Sequence, residues 1–350
     1  MTVRVLSAGD DFVLNRLLAD ALVSKVPVPL DISEISLPWP VKPFGRVAEV
    51  DEASGTEEQM IEALRGVQIC VTQMAPLTER ILQASPELRL FCVGRGGPVN
   101  VNLDAATLHG VAITFAPGRN AQATAEHTVA MMLSGLRRIP GTHSDLMAGT
   151  WRGDYYRYES VGRELADSVV GLVGYGAIGS KVAGILSGFG VRVVFHDPYL
   201  TDVPVGAAES VSLEALLEQS HVVSLHARAT PTTRGMIGAP QIAAMPQGSV
   251  LVNCARGSLL DYDAVCDALE SGHLFAAAFD VFPEEPIPVG SRLRRTPNVI
   301  MTPHLAGASR ETASNAADII AADVARYLGD EPLLHCANPE VLPGKAHPDA

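Results

Sequence analysis

The apolar run Val169-Val170-Gly171-Leu172-Val173 leads straight into Gly174-Tyr175-Gly176-Ala177-Ile178-Gly179, and a second apolar run, Val191–His196, ends in Asp197. The order is strand, glycine turn, helix, strand, acid. It constrains the chain to a parallel α/β unit, with the helix N-terminus facing whatever lies beyond the turn. A dinucleotide pyrophosphate fits such a terminus, where backbone N–H groups and the helix dipole favour negative charge. An acid about twenty residues on fits the ribose hydroxyls. Asp197 would repel a 2′-phosphate, which favours NAD over NADP. The bland alternatives are a tight turn with no ligand and, for Asp197, a turn acid before Pro198.

The position of this unit is also informative, because a whole α/β series precedes it. Val3–Leu6, Val67–Thr72, Leu88–Val93 and Val111–Phe115 have strand patterns, and Phe12–Leu22, Thr78–Ala84 and Ala105–His109 have helical ones. A long helix is expected over Ala121–Arg138, stopped by Pro140, followed by a polar, tyrosine-bearing connection over Gly141–Glu164. Its apolar residues lie on more than one face, the pattern of a helix buried between domains or subunits. Strands then recur at Val169–Val173, Val191–His196, Val222–Leu225, Ser249–Asn253, Phe275–Phe279 and Val299–Thr302. Helices are expected between them at Ile178–Phe189, Leu213–Gln219, Pro240–Ala244 and Tyr262–Glu270, and after them at Glu311–Leu328. Residues 341–350, rich in proline and glycine, read as a disordered tail.

Composition excludes several classes. A net charge of -13 over 350 residues argues against nucleic acid as a partner. No apolar run is long enough for a membrane span, and Met1–Ser7 lacks a signal-peptide pattern, so a cytoplasmic protein is expected. The five cysteines are scattered without a Cys-x-x-Cys pair, so no metal site or disulfide framework is expected.

The polar residues after the later strands fall on one sheet edge. The second strand of this series ends at Asp197-Pro198, the third at His226-Ala227-Arg228, and the fourth at Asn253-Cys254-Ala255-Arg256-Gly257. The fifth ends at Asp280 and leads to Glu284-Glu285-Pro286; the sixth ends at Thr302-Pro303-His304. Ligands of open α/β sheets bind outside the carboxyl ends of the strands. A guanidinium such as Arg256 holds a carboxylate through two parallel hydrogen bonds. A histidine with a carboxylate on one ring nitrogen is oriented, and its pKa is raised. Taken singly, Arg256 reads as a loop brace, His304 as a core histidine and Glu285 as a solvated acid. Together they suit proton transfer coupled to hydride transfer.

These residues resemble the D-isomer-specific 2-hydroxyacid dehydrogenases, a family that includes the phosphoglycerate dehydrogenases. The likeness runs from Val67 to Leu342. It is carried by Gly171–Gly179, Asn253-Cys254-Ala255-Arg256-Gly257, Phe279–Pro286 and Thr302-Pro303-His304-Leu305-Ala306-Gly307, with Asn120-Ala121 and Ala125-Glu126-His127. The resemblance implies two doubly wound parallel-sheet α/β domains. A flavodoxin-like substrate domain would comprise 1–115 and 308–340, with a Rossmann NAD-binding domain, 116–307, inserted in it. It implies that Arg256 holds the substrate carboxylate and that His304, paired with Glu285, moves the proton. Gly174, Gly176, Ala177, Ile178, Gly179, Asp197, Pro198, His226, Ala227, Cys254, Ala255, Asp280 and Gly307 would line the NAD site, with Asp280 on the nicotinamide amide. Arg95, Gly96 and Gly97 would meet the substrate, a small 2-hydroxy or 2-keto acid. A homodimer is implied as well.

Three positions depart from the family pattern. The loop Gly94–Asn100 is short and carries Pro98, Arg228 stands where proline is usual, and Gln73-Met74 replaces a basic residue common in the phosphoglycerate enzymes. The family also includes an NAD-sensing corepressor, which gives an alternative reading as a binding protein. Formate dehydrogenases of this family carry glutamine where Glu285 stands, which disfavours that activity.

Overall fold

The computed structural model describes residues 2–39, 45–200 and 208–342. The expected tail therefore lies, from residue 343 on, outside the described residues. The chain forms two compact units, one of Met1–Asn120 with the residues from Ser309 on, the other of Ala121–Ala308.

The first unit opens with β1 (Val3–Gly9), α1 (Asn15–Lys25), β2 (Leu30–Ser36), α2 (Glu57–Ala63) and β3 (Ile69–Thr72). It continues with α3 (Glu79–Ala84), β4 (Leu90–Val93), α4 (Leu103–Leu108) and β5 (Ala112–Phe115). The strands pair in parallel in the order β2-β1-β3-β4-β5. Strands β3 and β4 are buried throughout, as sheet residues with both faces covered must be. Each short helix starts on a side-chain cap. Thr56, Thr78 and Asn102 accept from the backbone N–H of Gln59, Ile81 and Ala105. Strand β2 and helix α2 are not among the sequence expectations, because β2 exposes most of its side chains and lacks a continuous apolar run.

The second unit begins with α5 (Ala121–Arg137) and α6 (Ile139–Met147). Pro140 does not end the helical segment as expected. It occupies the first turn of α6, where a missing N–H is harmless, and the break falls at Arg138, whose φ is 51°. Part of the expected connection is thus helical. Helix α5 buries residues from Ala121 to Leu136, whereas α6 buries none.

Seven parallel strands follow: β6 (Val169–Val173), β7 (Arg192–His196), β8 (Glu209–Ser210), β9 (Val222–Leu225), β10 (Ser249–Asn253), β11 (Leu274–Phe279) and β12 (Val299–Met301). Their order is β12-β11-β10-β9-β6-β7-β8, so the strand order reverses between β6 and β9. The two-residue β8 is too short to show in the sequence pattern. Helices α7 (Ala177–Ser187), α8 (Leu213–Gln219), α9 (Ala239–Ala244) and α10 (Tyr262–Glu270) connect the strands. Gly171 lets α8 approach β6, since a Cβ there would lie 2.5 Å from Leu216.

The chain then returns to the first unit as α11 (Arg310–Leu328), capped by Ser309. Helix α11 packs with α1 on one face of the five-stranded sheet, while α2, α3 and α4 cover the other. Among the described residues no helix is long and apolar enough to cross a membrane, and no cluster of His, Cys, Asp and Glu is placed to hold a metal ion.

Candidate functional site

The glycine turn lies at the end of β6, where the strand order reverses, and its three glycines do different work. Gly174 has φ 99°, and a Cβ on it would lie 2.7 Å from the His226 carbonyl carbon. Gly179 packs α7 onto the turn, since a Cβ there would lie 2.3 Å from the Gly174 oxygen. A Cβ on Gly176 would meet nothing within 4 Å. The open glycine therefore stands where α7 begins, ahead of the unsatisfied N–H groups of Ala177 and Ile178. This is the space a pyrophosphate needs, with two glycines used for packing and one left clear. Tyr175 does not occupy it; the ring is buried and stacks on Phe195 with centroids 4.0 Å apart.

Asp197 ends β7 beside this turn. One carboxylate oxygen accepts from Tyr175 N at 2.9 Å and the other from Tyr199 N at 3.0 Å. Each oxygen keeps a lone pair for a ribose hydroxyl. Pro198 is exposed beside it. At the end of β9, His226 bonds Ser224 Oγ at 3.0 Å, and burial pulls its pKa down to about 4, so it is neutral at pH 7. Ala227 follows, half-buried. The residues of this turn thus fit a dinucleotide.

Beyond β10 the backbone is held by Asn253. Its Oδ1 accepts from Ala255 N at 3.0 Å, and its Nδ2 donates to the Arg256 carbonyl at 3.0 Å. Cys254 and Ala255 are buried, and burial raises the Cys254 thiol to about 12, leaving it protonated and inert. Gly257 brings this loop against the segment after β11, since a Cβ on it would lie 2.0 Å from the Phe282 oxygen. Tyr262 closes the same contact by donating to the Val281 oxygen at 2.7 Å. Arg256 is exposed, and its charge reaches both Glu285 and His304.

His304 and Glu285 meet directly. Nδ1 of His304 lies 2.7 Å from Glu285 Oε2, while Oε1 of Glu285 accepts from Phe282 N at 2.9 Å. The bond to Glu285 raises the His304 pKa, against the opposing effect of burial. Burial alone would raise Glu285, but the bonds from His304 and Phe282 hold it below its usual value. With Nδ1 facing the carboxylate, Nε2 is the nitrogen left to exchange a proton.

The His304 backbone is held by Asp280, which is fully buried. Its Oδ1 accepts from Thr302 Oγ1 at 2.5 Å and Leu305 N at 2.8 Å, and its Oδ2 accepts from Ala306 N at 2.8 Å. Its carbonyl accepts from His304 N at 2.9 Å. Thr302 uses its proton on Asp280, so it accepts from His127 Nε2, 3.1 Å away. Gly307 follows, half-buried. Thr302 carries part of this geometry through Asp280 and His127, both distant in the chain, so its neighbours do not reveal it, whereas Asn253 acts locally on Ala255 and Arg256.

In the first unit, Gly96 and Gly97 have nothing within 4 Å of a built Cβ. Arg95 pairs with the Glu52 carboxylate and donates to the Glu52 carbonyl at 3.1 Å.

Residues 129–306 match the model of the D-isomer specific 2-hydroxyacid dehydrogenase NAD binding domain. A D-3-phosphoglycerate dehydrogenase of Methanocaldococcus jannaschii is 35% identical over 81% of this chain and 54% of its own length. The chain therefore spans about half of that relative. A glyoxylate reductase of Korarchaeum cryptofilum is 32% identical over 83% of this chain and 89% of its own. A solved Thermus thermophilus structure superposes with a TM-score of 0.76 at 27% identity, covering 96% of this chain and 100% of that one. With the domain model matched and the turn, the acid and the histidine pair in place, the chain belongs to the D-isomer specific 2-hydroxyacid dehydrogenases.

Proposed function

We propose that the protein is an NAD-dependent oxidoreductase that interconverts a D-2-hydroxy acid and its 2-keto acid. The observation that carries this reading is the 2.7 Å bond between His304 and Glu285, beside Arg256 and on the same sheet edge as the glycine turn. The turn residues, with Asp197, hold NAD; Ala177 and Ile178 offer N–H groups to its pyrophosphate. His226, Ala227, Cys254, Ala255 and Gly307 line the remaining length, and Asp280 shapes it from below by holding residues 302–306. The bound nicotinamide supplies the hydride acceptor or donor.

Arg256 orients the substrate carboxylate by a two-point contact. In oxidation, His304 Nε2 takes the hydroxyl proton, and Glu285 stabilises the resulting imidazolium through Nδ1–H. In reduction, the imidazolium returns that proton to the forming hydroxyl. In the first unit, which we read as the substrate domain, Arg95 and the N–H groups of Gly96 and Gly97 serve the substrate. The relatives named above give the corepressor reading no support.

A homodimer fits the exposed apolar residues of the segment after α5, namely Ile139, Leu146, Met147, Trp151 and Tyr156. Five free thiols suit the reducing cytoplasm. NADH oxidation with pyruvate, glyoxylate, hydroxypyruvate and 3-phosphohydroxypyruvate tests the activity. His304→Ala is expected to lower turnover on the best of these by about 100-fold or more. Near-wild-type turnover would remove His304 from the mechanism.

A further inference from the structure

The loop that carries His304 lies outside any strand or helix, and at φ 55° His304 needs to be held. Its hold runs back to helix α5. This helix packs across β10, β11 and β12, and its second turn brings His127 to the carboxyl ends of β11 and β12. There His127 Nε2 lies 3.1 Å from Thr302 Oγ1 and 3.7 Å from Asp280 Oδ1. The neighbours Ala125, Thr128 and Val129 fill the buried face of α5, whereas the His127 side chain is 24% exposed. His127 is therefore placed for a polar contact rather than for filling the core.

Donor counting gives that contact a direction and a purpose. A threonine hydroxyl rotates freely and has one proton to give. Thr302 gives it to the Asp280 carboxylate at 2.5 Å. A bare Nε2 on His127 would be a second acceptor competing for that one proton, and the hydroxyl would be divided between the two. With its hydrogen in place, Nε2–H donates to Thr302, and the hydroxyl can point only at Asp280. Asp280 in turn accepts from Leu305 N and Ala306 N, and its carbonyl accepts from His304 N. A chain of bonds thus runs from His127 through Thr302 and Asp280 to the backbone on both sides of His304, all within the second unit.

We propose that His127 is a positioning residue for proton transfer: its Nε2–H orients the Thr302 hydroxyl onto Asp280, and Asp280 so fixed holds His304 against Glu285. This rests on the oxidoreductase reading above and adds to it a residue that acts only through others. Two variants of the full chain separate this role from packing. His127→Phe keeps a planar ring and removes both nitrogens; His127→Gln loses the ring and keeps an N–H donor near the place of Nε2. Positioning predicts that His127→Phe lowers kcat on the best 2-keto acid about 10-fold, with the KM for NADH within about twofold, and that His127→Gln recovers most of the loss. Packing predicts the reverse order. A second readout needs neither cofactor nor substrate. Followed by NMR of the histidine rings, the His304 titration midpoint, raised by Glu285, should fall toward the ordinary histidine value in His127→Phe and return in His127→Gln.

Full activity in His127→Phe, a glutamine variant no better than the phenylalanine one, or a loss carried by the KM for NADH would overturn the proposal. Because both residues act through one chain, His127→Phe combined with Thr302→Val should lose no more than the worse single variant; losses that multiply overturn it. If His127→Phe does not fold, Thr302→Val, which removes the hydroxyl next in the chain, must give the same fall in kcat and the same shift of the His304 midpoint; unchanged values overturn it. If no acid is turned over by wild type, the oxidoreductase reading fails, and the NMR titration alone decides the positioning role. A His304 midpoint unmoved in His127→Phe then refutes it.

Discussion

Replacing Asp280 by asparagine is expected to detach the loop that carries His304. Both carboxylate oxygens are committed, Oδ1 to Thr302 Oγ1 and Leu305 N, Oδ2 to Ala306 N. Between these anchors His304 sits at φ 55°, a left-handed conformation that side-chain-bearing residues adopt only when held. Asparagine has one acceptor oxygen. If that oxygen keeps Thr302 and Leu305, the new NH2 faces the Ala306 N–H, donor against donor. The lost charged hydrogen bond is worth about 1.5–3 kcal/mol, and the stranded buried N–H costs about 1–3 kcal/mol more. About 2.5–6 kcal/mol in all would lower Tm by roughly 5–25 °C in a domain of this size, measured by scanning calorimetry. His304 would lose its position, and a displacement of about 1 Å can cost about 100-fold in rate. The expected kinetic result is a large fall in kcat with the KM for NADH nearly unchanged. An unchanged Tm and kcat with a raised KM for NADH would refute the reasoning, and would instead favour direct contact of Asp280 with the nicotinamide amide.

The remaining expectations test neighbouring parts of the site. Glu285→Gln removes the negative charge from the partner that raises the His304 pKa, so the base form of His304 persists to lower pH. Keto-acid reduction, which needs imidazolium, should then decline at lower pH than in wild type, read from pH profiles of kcat/KM. Asp197→Ala should weaken NAD and relax the discrimination against NADP, measured as the ratio of kcat/KM for the two cofactors. Gly179→Ala puts a Cβ against the Gly174 oxygen; a destabilisation of about 1–3 kcal/mol is expected, with weaker NADH binding in fluorescence titration.

The parts of the molecule legible in the sequence are those encoded by adjacent residues. The strand–turn–helix around Gly174–Gly179 needs no distant partner, and the polar residues after β7, β9, β10, β11 and β12 declare a common sheet edge through strand polarity alone. Pro140 reads as a stop in the sequence, but proline also suits a first helical turn, and the left-handed Arg138 before it puts Pro140 there. Strand β2 is mostly exposed, so its pattern carries little apolar signal. The hold of Asp280 on residues 302–306, and of His127 on Thr302, joins separate elements; neither residue's neighbours in the chain reveal it.

The return of α11 to α1 has a consequence for synthesis. Ala313, Ala316 and Ile320 complete the same apolar cluster as Leu18 and Leu22, nearly three hundred positions away. On the ribosome, at about 5–20 residues per second, α1 waits on the order of 15–60 s for its cover. Once β5 is made, and until α11 emerges, the five-stranded sheet has one face capped by α1 alone, while the whole second unit emerges and can fold. This half-built unit is thus in need of a chaperone, although it is made before the second unit. Slowing translation late in the chain should lower soluble yield more than slowing it early.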